Sequence, residues 1–259
     1  MASTWNSTEY LKFARERTQP ASDLVARIEL PSPARIVDLG CGPGNSTAVL
    51  SQRWPQAEIT GLDSSASMLE AARREFPQWT WQEGDIGAWR GDERGPFDLV
   101  FSNAALQWVP HHGNLLPRLF EQVAPGGALA FQVPANLDSP PQRMIRKIAE
   151  LPSWENRFVT PPKTWSSHPL EFYYDLFSAI AKRVELWTTD YAHVMESVEG
   201  IVDWYRGTGL RPWLEALPDD AARDKFLLAY RTRLAPYYPL RADGRVLFSF
   251  RRLFVIAYR

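Results

Sequence analysis

The chain has one cysteine in 259 residues. A single thiol excludes an internal disulfide framework and a cysteine-based zinc site, and no metal is expected. Charge of one sign is also missing. Lys and Arg total 29 against 30 Asp and Glu, a formal net charge of −1. That balance lacks the electrostatic footprint of a nucleic-acid binder. There is no run of about 18 apolar residues and no signal-peptide core at the N-terminus. Repeats and low-complexity tracts are absent too. These absences lead us to expect a soluble, cytoplasmic protein with neither nucleic acid nor membrane as partner. What is present is a 45% hydrophobic, 23% charged composition, enough for a packed core. The length suits one large α/β domain, or a catalytic domain carrying an insertion. The aromatics are uneven. Of 33, 20 follow residue 150, including eight of the nine Tyr, and Arg outnumbers Lys 24 to 5.

The first half alternates strands and helices. Arg35 to Leu39, Glu58 to Leu62, Trp79 to Gln82, Phe97 to Phe101 and Ala128 to Val133 are short apolar runs. Helical stretches lie between them, at Ala48 to Trp54, Met68 to Phe76 and Leu115 to Val123. Asn45-Ser46-Thr47 offers N-cap residues, Ser67 with Glu70 fits a capping box, and Pro125-Gly126-Gly127 ends the third helix. This alternation implies βαβ units and a parallel sheet covered on both faces. The second half is less regular. It predicts helices around Arg143 to Leu151, Tyr173 to Ala181 and across 194–235, with breaks at 207–209 and Pro218. Val184 to Tyr191 and Leu253 to Tyr258 read as late strands.

The strongest local signal is Asp38-Leu39-Gly40-Cys41-Gly42-Pro43-Gly44, where a strand runs into a glycine turn and then a helix. Dinucleotide binders space their glycines G-x-G-x-x-G, to seat a pyrophosphate on the helix N-terminus. Here the spacing is G-x-G-x-G, preceded by a strand-terminal acid. A carboxylate there serves a cation better than a phosphate, which disfavours a dehydrogenase. Cys41, with no nearby base in sequence, reads as a small buried filler.

The Asp38 to Gly44 segment resembles the first motif of the S-adenosylmethionine-dependent methyltransferases of the Rossmann-like class. The resemblance implies cofactor contacts from Asp38, Gly40, Cys41, Gly42 and Asn45. Asp63 ends the second strand, where it can accept from two ribose hydroxyls; Ser64 follows it. The same resemblance places Asp85 and Ile86 at the adenine, Met68 on its other face, and Asn103 and Ala104 near the methionine part. Gln107 and Trp108 then face the methyl group. A narrower likeness runs through nearly the whole chain. It includes Trp5-Asn6, Tyr10-Leu11, Gln52-Arg53-Trp54-Pro55, Leu106-Gln107-Trp108, Tyr173-Tyr174-Asp175, Thr208-Gly209-Leu210-Arg211-Pro212-Trp213-Leu214 and Arg252-Leu253-Phe254. These resemble the trans-aconitate 2-methyltransferase family, which esterifies one carboxylate of trans-aconitate.

That resemblance implies a doubly wound α/β fold: a mostly parallel seven-stranded sheet with its last strand antiparallel and a helical insertion before it. About sixty residues separate Tyr191 from Leu253, far beyond a hairpin loop. We therefore expect one domain over residues 1–259. Residues 1–30 form a helical cover and 31–135 the cofactor core. Segments 136–182 and 192–250 cover the substrate, and 183–191 and 252–259 complete the sheet. A carboxylate is ionised at neutral pH, so its methylation needs no general base. No catalytic acid or base is expected, only positioning by Trp108 and Arg211. Candidates to hold a small polycarboxylate are Gln107, Trp108, Tyr173, Tyr174, Arg211, Trp213 and Arg252, with Tyr205, Tyr237, Arg251, His168 and His193 behind them. Tyr10 and Arg17 are placed over the cofactor. His111 and His112 would suit a base for a neutral acceptor, or simply lie at the surface. Two alternatives remain: methylation of another small molecule on O, N or C, and a binding module without turnover.

Overall fold

The computed structural model describes residues 14–162 and 165–259. The strands are β1 (Arg35–Leu39), β2 (Glu58–Asp63), β3 (Thr80–Glu83), β4 (Phe97–Asn103), β5 (Val123–Pro134), β6 (Arg183–Met195) and β7 (Val246–Tyr258). They form one seven-stranded sheet in the order β3-β2-β1-β4-β5-β7-β6. β1 to β5 pair in parallel, while β7 runs antiparallel to β5, with Ala128 opposite Tyr258 and Pro134 opposite Arg252. This is the doubly wound, mostly parallel α/β architecture that the strand–helix alternation implies. The order reverses beside β1, and open sheets of this kind bind ligands at such a point, at the carboxyl ends of the strands.

The helices are α1 (Ala14–Arg27), α2 (Asn45–Arg53), α3 (Ala66–Glu75), α4 (His112–Phe120), α5 (Pro140–Ala149), α6 (Leu170–Ser178), α7 (Val198–Arg206), α8 (Arg211–Glu215) and α9 (Asp220–Leu234). The described residues group into two compact units. One comprises the residues up to Ala135 with Ser166–Thr189 and Arg252–Arg259; the other is Asn136–Trp165 with Asp190–Arg251. In the first, Val37, Leu39, Val100, Leu129, Phe131 and Val133 pack with Tyr173 and Phe177 of α6. In the second, Trp204, Tyr205, Phe226, Tyr230, Phe248 and Phe250 are buried together. No described helix is long and apolar enough to cross a membrane.

Several local expectations are corrected. Helix α2 begins at Asn45, and its N-cap is Gly44, which offers no side chain; Ser46 and Thr47 turn their hydroxyls to Asp38 instead. The capping box at Ser67 and Glu70 does not form. Ser65 is the N-cap of α3, and its hydroxyl lies 3.1 Å from that of Ser67. Pro125-Gly126-Gly127 lies within β5 rather than before it. β7 starts seven residues earlier than Leu253. Its first half alternates buried and exposed residues and only its second half is continuously buried, so the apolar run marks half the strand.

Candidate active site

The glycine turn is fixed by the strands beside it. The Gly40 and Cys41 amides donate to the Leu62 carbonyl at 2.7 and 3.1 Å, and Gly44 N–H donates to the Cys41 carbonyl. The glycines have separate duties. A side chain at Gly44 would press on Phe76 and Trp81. Gly42, at φ +55°, would meet nothing within 4 Å. Gly42 is therefore the position where the backbone lies open to a ligand. The turn, with Ser46, Asn103 and Thr18 of α1, lines one cleft. Cys41 is buried, and burial pushes its thiol well above the usual range, in keeping with a filler.

Two acids flank the turn. Asp38 is fully buried. One of its oxygens accepts from the hydroxyls of Ser46 and Thr47, both at 2.7 Å; the other has no partner among the described residues. Burial is the main cause that raises its pKa to about 6, the two hydroxyl bonds pulling the other way. Asp63 accepts from Gly42 N–H at 2.9 Å and Ser65 N–H at 2.8 Å, and burial raises its pKa as well. A carboxylate has about four acceptor sites, so both acids keep capacity for a ligand. An unpartnered carboxylate oxygen, a glycine turn with open space over Gly42 and a second acid fit a ligand carrying an ammonium and hydroxyls.

Other expected cofactor residues are more scattered. Ile86 is buried and would lie 3.5 Å from a side chain at Gly40. Asp85 is exposed, its oxygen accepting from Gly87 N–H as a turn former does. Met68 is buried on α3 and Ser64 is exposed. Arg17 belongs to α1, but its side chain lies outside the described residues, as does Tyr10.

The end of β4 carries features that the motif reading missed. Ala104 adopts φ +54°, uncommon for a residue with a side chain, and its N–H donates to the Gln132 carbonyl. The wholly buried Gln132 donates to Asn103 Oδ1 at 2.7 Å and accepts from Arg252 Nη1 at 3.2 Å. Arg252 is itself buried, so three polar residues from β4, β5 and β7 form one line to the cleft. Nothing local in sequence marks Gln132; only strand pairing brings it there. Gln107 is buried; its side chain donates to the Ala104 carbonyl, and its backbone carbonyl accepts from Ser166 N–H. Trp108 follows in the same turn, half-buried.

Tyr173 is an interior residue, wholly buried against Phe131, and only Tyr174 exposes its ring. The Tyr173 hydroxyl accepts from His168 N–H and lies 3.0 Å from His112 Nδ1. His112 is not at the surface. It is fully buried, burial lowers its pKa, and its Nε2 lies 2.9 Å from the Leu106 carbonyl. A neutral ring donating there accepts from Tyr173 on its other nitrogen, which leaves neither nitrogen of His112 for a substrate; His111 beside it is exposed. Successive helical residues point about 100° apart, which separates Tyr173 from Tyr174. In the second unit, Arg211 pairs with Glu215 at 2.8 Å and Trp213 packs edge-on against Phe158 at 5.0 Å. Arg251 is engaged by Asp190 through two bonds of 2.9 and 2.8 Å.

Comparison with known proteins fits this geometry. A family model described as a methyltransferase domain matches residues 36–127. The chain is 48% identical to a trans-aconitate 2-methyltransferase of Azoarcus sp. (strain BH72), with 99% of each covered. It is 47% identical to a trans-aconitate 2-methyltransferase of Methylobacterium nodulans, with 98% of each covered. Among solved structures, the YcgJ protein of Bacillus subtilis superposes with a TM-score of 0.58 at 16% identity, covering 93% of this chain and 98% of that one; this likeness concerns the fold alone. The glycine turn, the two acids and the full-length likeness converge: the chain belongs to the trans-aconitate 2-methyltransferase family of S-adenosylmethionine-dependent enzymes.

Proposed function

We propose that the chain transfers a methyl group from S-adenosylmethionine to a carboxylate oxygen of trans-aconitate, giving the monomethyl ester and S-adenosylhomocysteine. The observation that carries this reading is likeness over 98–99% of the chain to relatives of that name. The cofactor supplies an activated methyl group on a sulfonium. Asp38, Gly40, Cys41, Gly42, Asn45, Asp63, Ser64, Met68, Asp85, Ile86, Asn103, Ala104 and Arg17 are the residues proposed to hold it. Asp38 offers its unpartnered oxygen to a cation and Asp63 accepts from hydroxyls. Gln107, Trp108, Tyr174, Arg211, Trp213 and Arg252 are proposed for the acid.

The acid reaches the enzyme ionised, with a reference pKa near 4. The protein's task is then to orient one carboxylate oxygen and exclude water around it. Orientation alone can contribute about 7–11 kcal/mol. The absence of an available base at His112 agrees with that division of labour. We place the reaction in the cytoplasm, where a lone buried thiol stays reduced. The deciding experiment gives the chain methyl-labelled cofactor and a panel of di- and tricarboxylic acids. Label should enter trans-aconitate and be released by mild base. Label stable to base would overturn esterification in favour of O-, N- or C-methylation elsewhere. Asp63→Ala should weaken cofactor binding about tenfold or more, as expected for lost bonds to a charged group.

A further inference from the structure

The second unit holds buried polar groups that its own packing leaves unused. Asn136 is 6% exposed. Its Nδ2 donates to the Tyr205 hydroxyl at 3.1 Å, and its Oδ1 has no partner among the described residues. A half-turn of the amide lets Oδ1 accept from the Tyr205 hydroxyl and leaves Nδ2 as the donor for a ligand. Ser139, three residues on, stands at the N-cap of α5, yet its hydroxyl caps nothing and is likewise unpartnered. Tyr230 of α9 is wholly buried with an unpartnered hydroxyl. Burial holds that hydroxyl protonated, hence a neutral donor.

Tyr205 links these groups. It is bonded to Asn136, and its ring centroid lies 6.5 Å from that of Tyr230. Gln142, in the first turn of α5, is 7% exposed. A side chain at Gly209 would come within 3.0 Å of Gln142 Nε2 and 2.9 Å of the Tyr205 ring. Gly209 belongs to the Thr208–Leu214 stretch, the narrowest part of the family likeness, so that stretch abuts the cluster.

A buried polar atom without a partner is destabilising, and native proteins leave few of them. Asn136 is bonded to Tyr205, whose ring lies 6.5 Å from that of Tyr230, and the Ser139 N–H donates to the Asn136 carbonyl; three such atoms linked in this way suggest a ligand that completes them. Pro140 and Pro141 lack N–H groups, so α5 offers little backbone donation at its start and recognition falls to side chains. The helix dipole nevertheless favours negative charge there. Hydroxyl and amide donors at a positive helix end suit a carboxylate. We infer that Asn136, Ser139, Gln142, Tyr205 and Tyr230 form a carboxylate-binding site that grips one carboxylate of the acid substrate. The inference rests on the acid-methylating reading above.

Tyr230→Phe in the full chain deletes one oxygen and keeps the ring. The KM for trans-aconitate is expected to rise about tenfold, as for a lost bond to a charged group, with cofactor binding unchanged within about twofold. An unchanged KM overturns the inference, because the hydroxyl then meets nothing or an ordered water only. If that variant does not fold, Ser139→Ala carries the same test. Asn136→Asp sets a negative charge against the acid and should raise KM further; a retained KM also overturns the site. If the wild type methylates no acid of the panel, the proposed reaction fails. The site is then read from equilibrium binding of trans-aconitate with S-adenosylhomocysteine present. Weaker binding by Tyr230→Phe upholds it. Equal binding by both proteins, or none by the wild type, ends it.

Discussion

The two compact units bury different chemistry. The first packs mostly aliphatic strands and sets two acids at the carboxyl ends of β1 and β2. There Asp38 and Asp63 are held by bonds to residues only two to 21 positions away. The second packs aromatic rings: Trp204 against Phe248 and Phe250 at 5.8 and 5.6 Å, and Phe158 against Phe226 at 5.9 Å. Its polar atoms sit inside that aromatic core. Under the proposed function, a cofactor shared by many enzymes meets a backbone turn that tolerates varied neighbours. A particular acid needs side chains fixed by packing, and aromatic rings supply large area with few rotatable bonds.

The largest expected effect tests whether the units are energetically separate. Trp204→Ala should cost about 3–5 kcal/mol, because Trp204 is 1% exposed. Calorimetry at low temperature should still detect cofactor binding; its loss would break the comparison. Next comes the Asp38 carboxyl. Its folded pKa of about 6 lies above the ordinary aspartate value of 3.8. Between those values the folded state keeps a proton that the unfolded state has released. Stability therefore falls as pH rises through this window and levels above it, by roughly 3 kcal/mol in all. Asp38→Asn should remove this slope, and parallel denaturant titrations at pH 4 and pH 7 check it.

A smaller effect separates two glycines. At φ +76°, Gly40→Ala brings its new methyl into collision with Ala105 and should cost about 1–3 kcal/mol as well as cofactor affinity. Gly42→Ala faces open space, so it bears only the strain of a left-handed alanine, about 1 kcal/mol, and should lower cofactor affinity with a smaller melting loss than Gly40→Ala. Equal melting losses in both would refute the assigned roles. The smallest effect is Arg251→Ala. Its exposed pair with Asp190 contributes below about 1 kcal/mol, and the KM for the acid should not move.

The core strands and the glycine turn were legible because each is a local pattern. Burial on both faces makes β1 and β4 continuous apolar runs, and a turn before a helix restricts residue choice at Gly40, Gly42 and Gly44. Capping was misread because Asp38 competes for Ser46 and Thr47, a contest between strand and helix that no short window reveals. Gln132 was invisible for a similar reason. It sits within an apolar strand, and only the registers β4–β5 and β5–β7 set it between Asn103 and Arg252.

Tyr173 and Tyr174 mark the same boundary. Their sequence neighbourhood is one and the same, and helix geometry alone decides that one ring is interior and the other exposed. The amino-acid order by itself determined the parallel sheet, the glycine turn and its two acids, because each depends on neighbours within a few residues or on strand periodicity. Tertiary structure alone decided which polar side chains are already engaged, as His112 and Arg251 are. It also decided which are buried with capacity to spare, as Asn136 and Tyr230 are. Hydrogen-bond satisfaction depends on partners brought together from distant parts of the chain, and that pairing is settled only when the chain has folded.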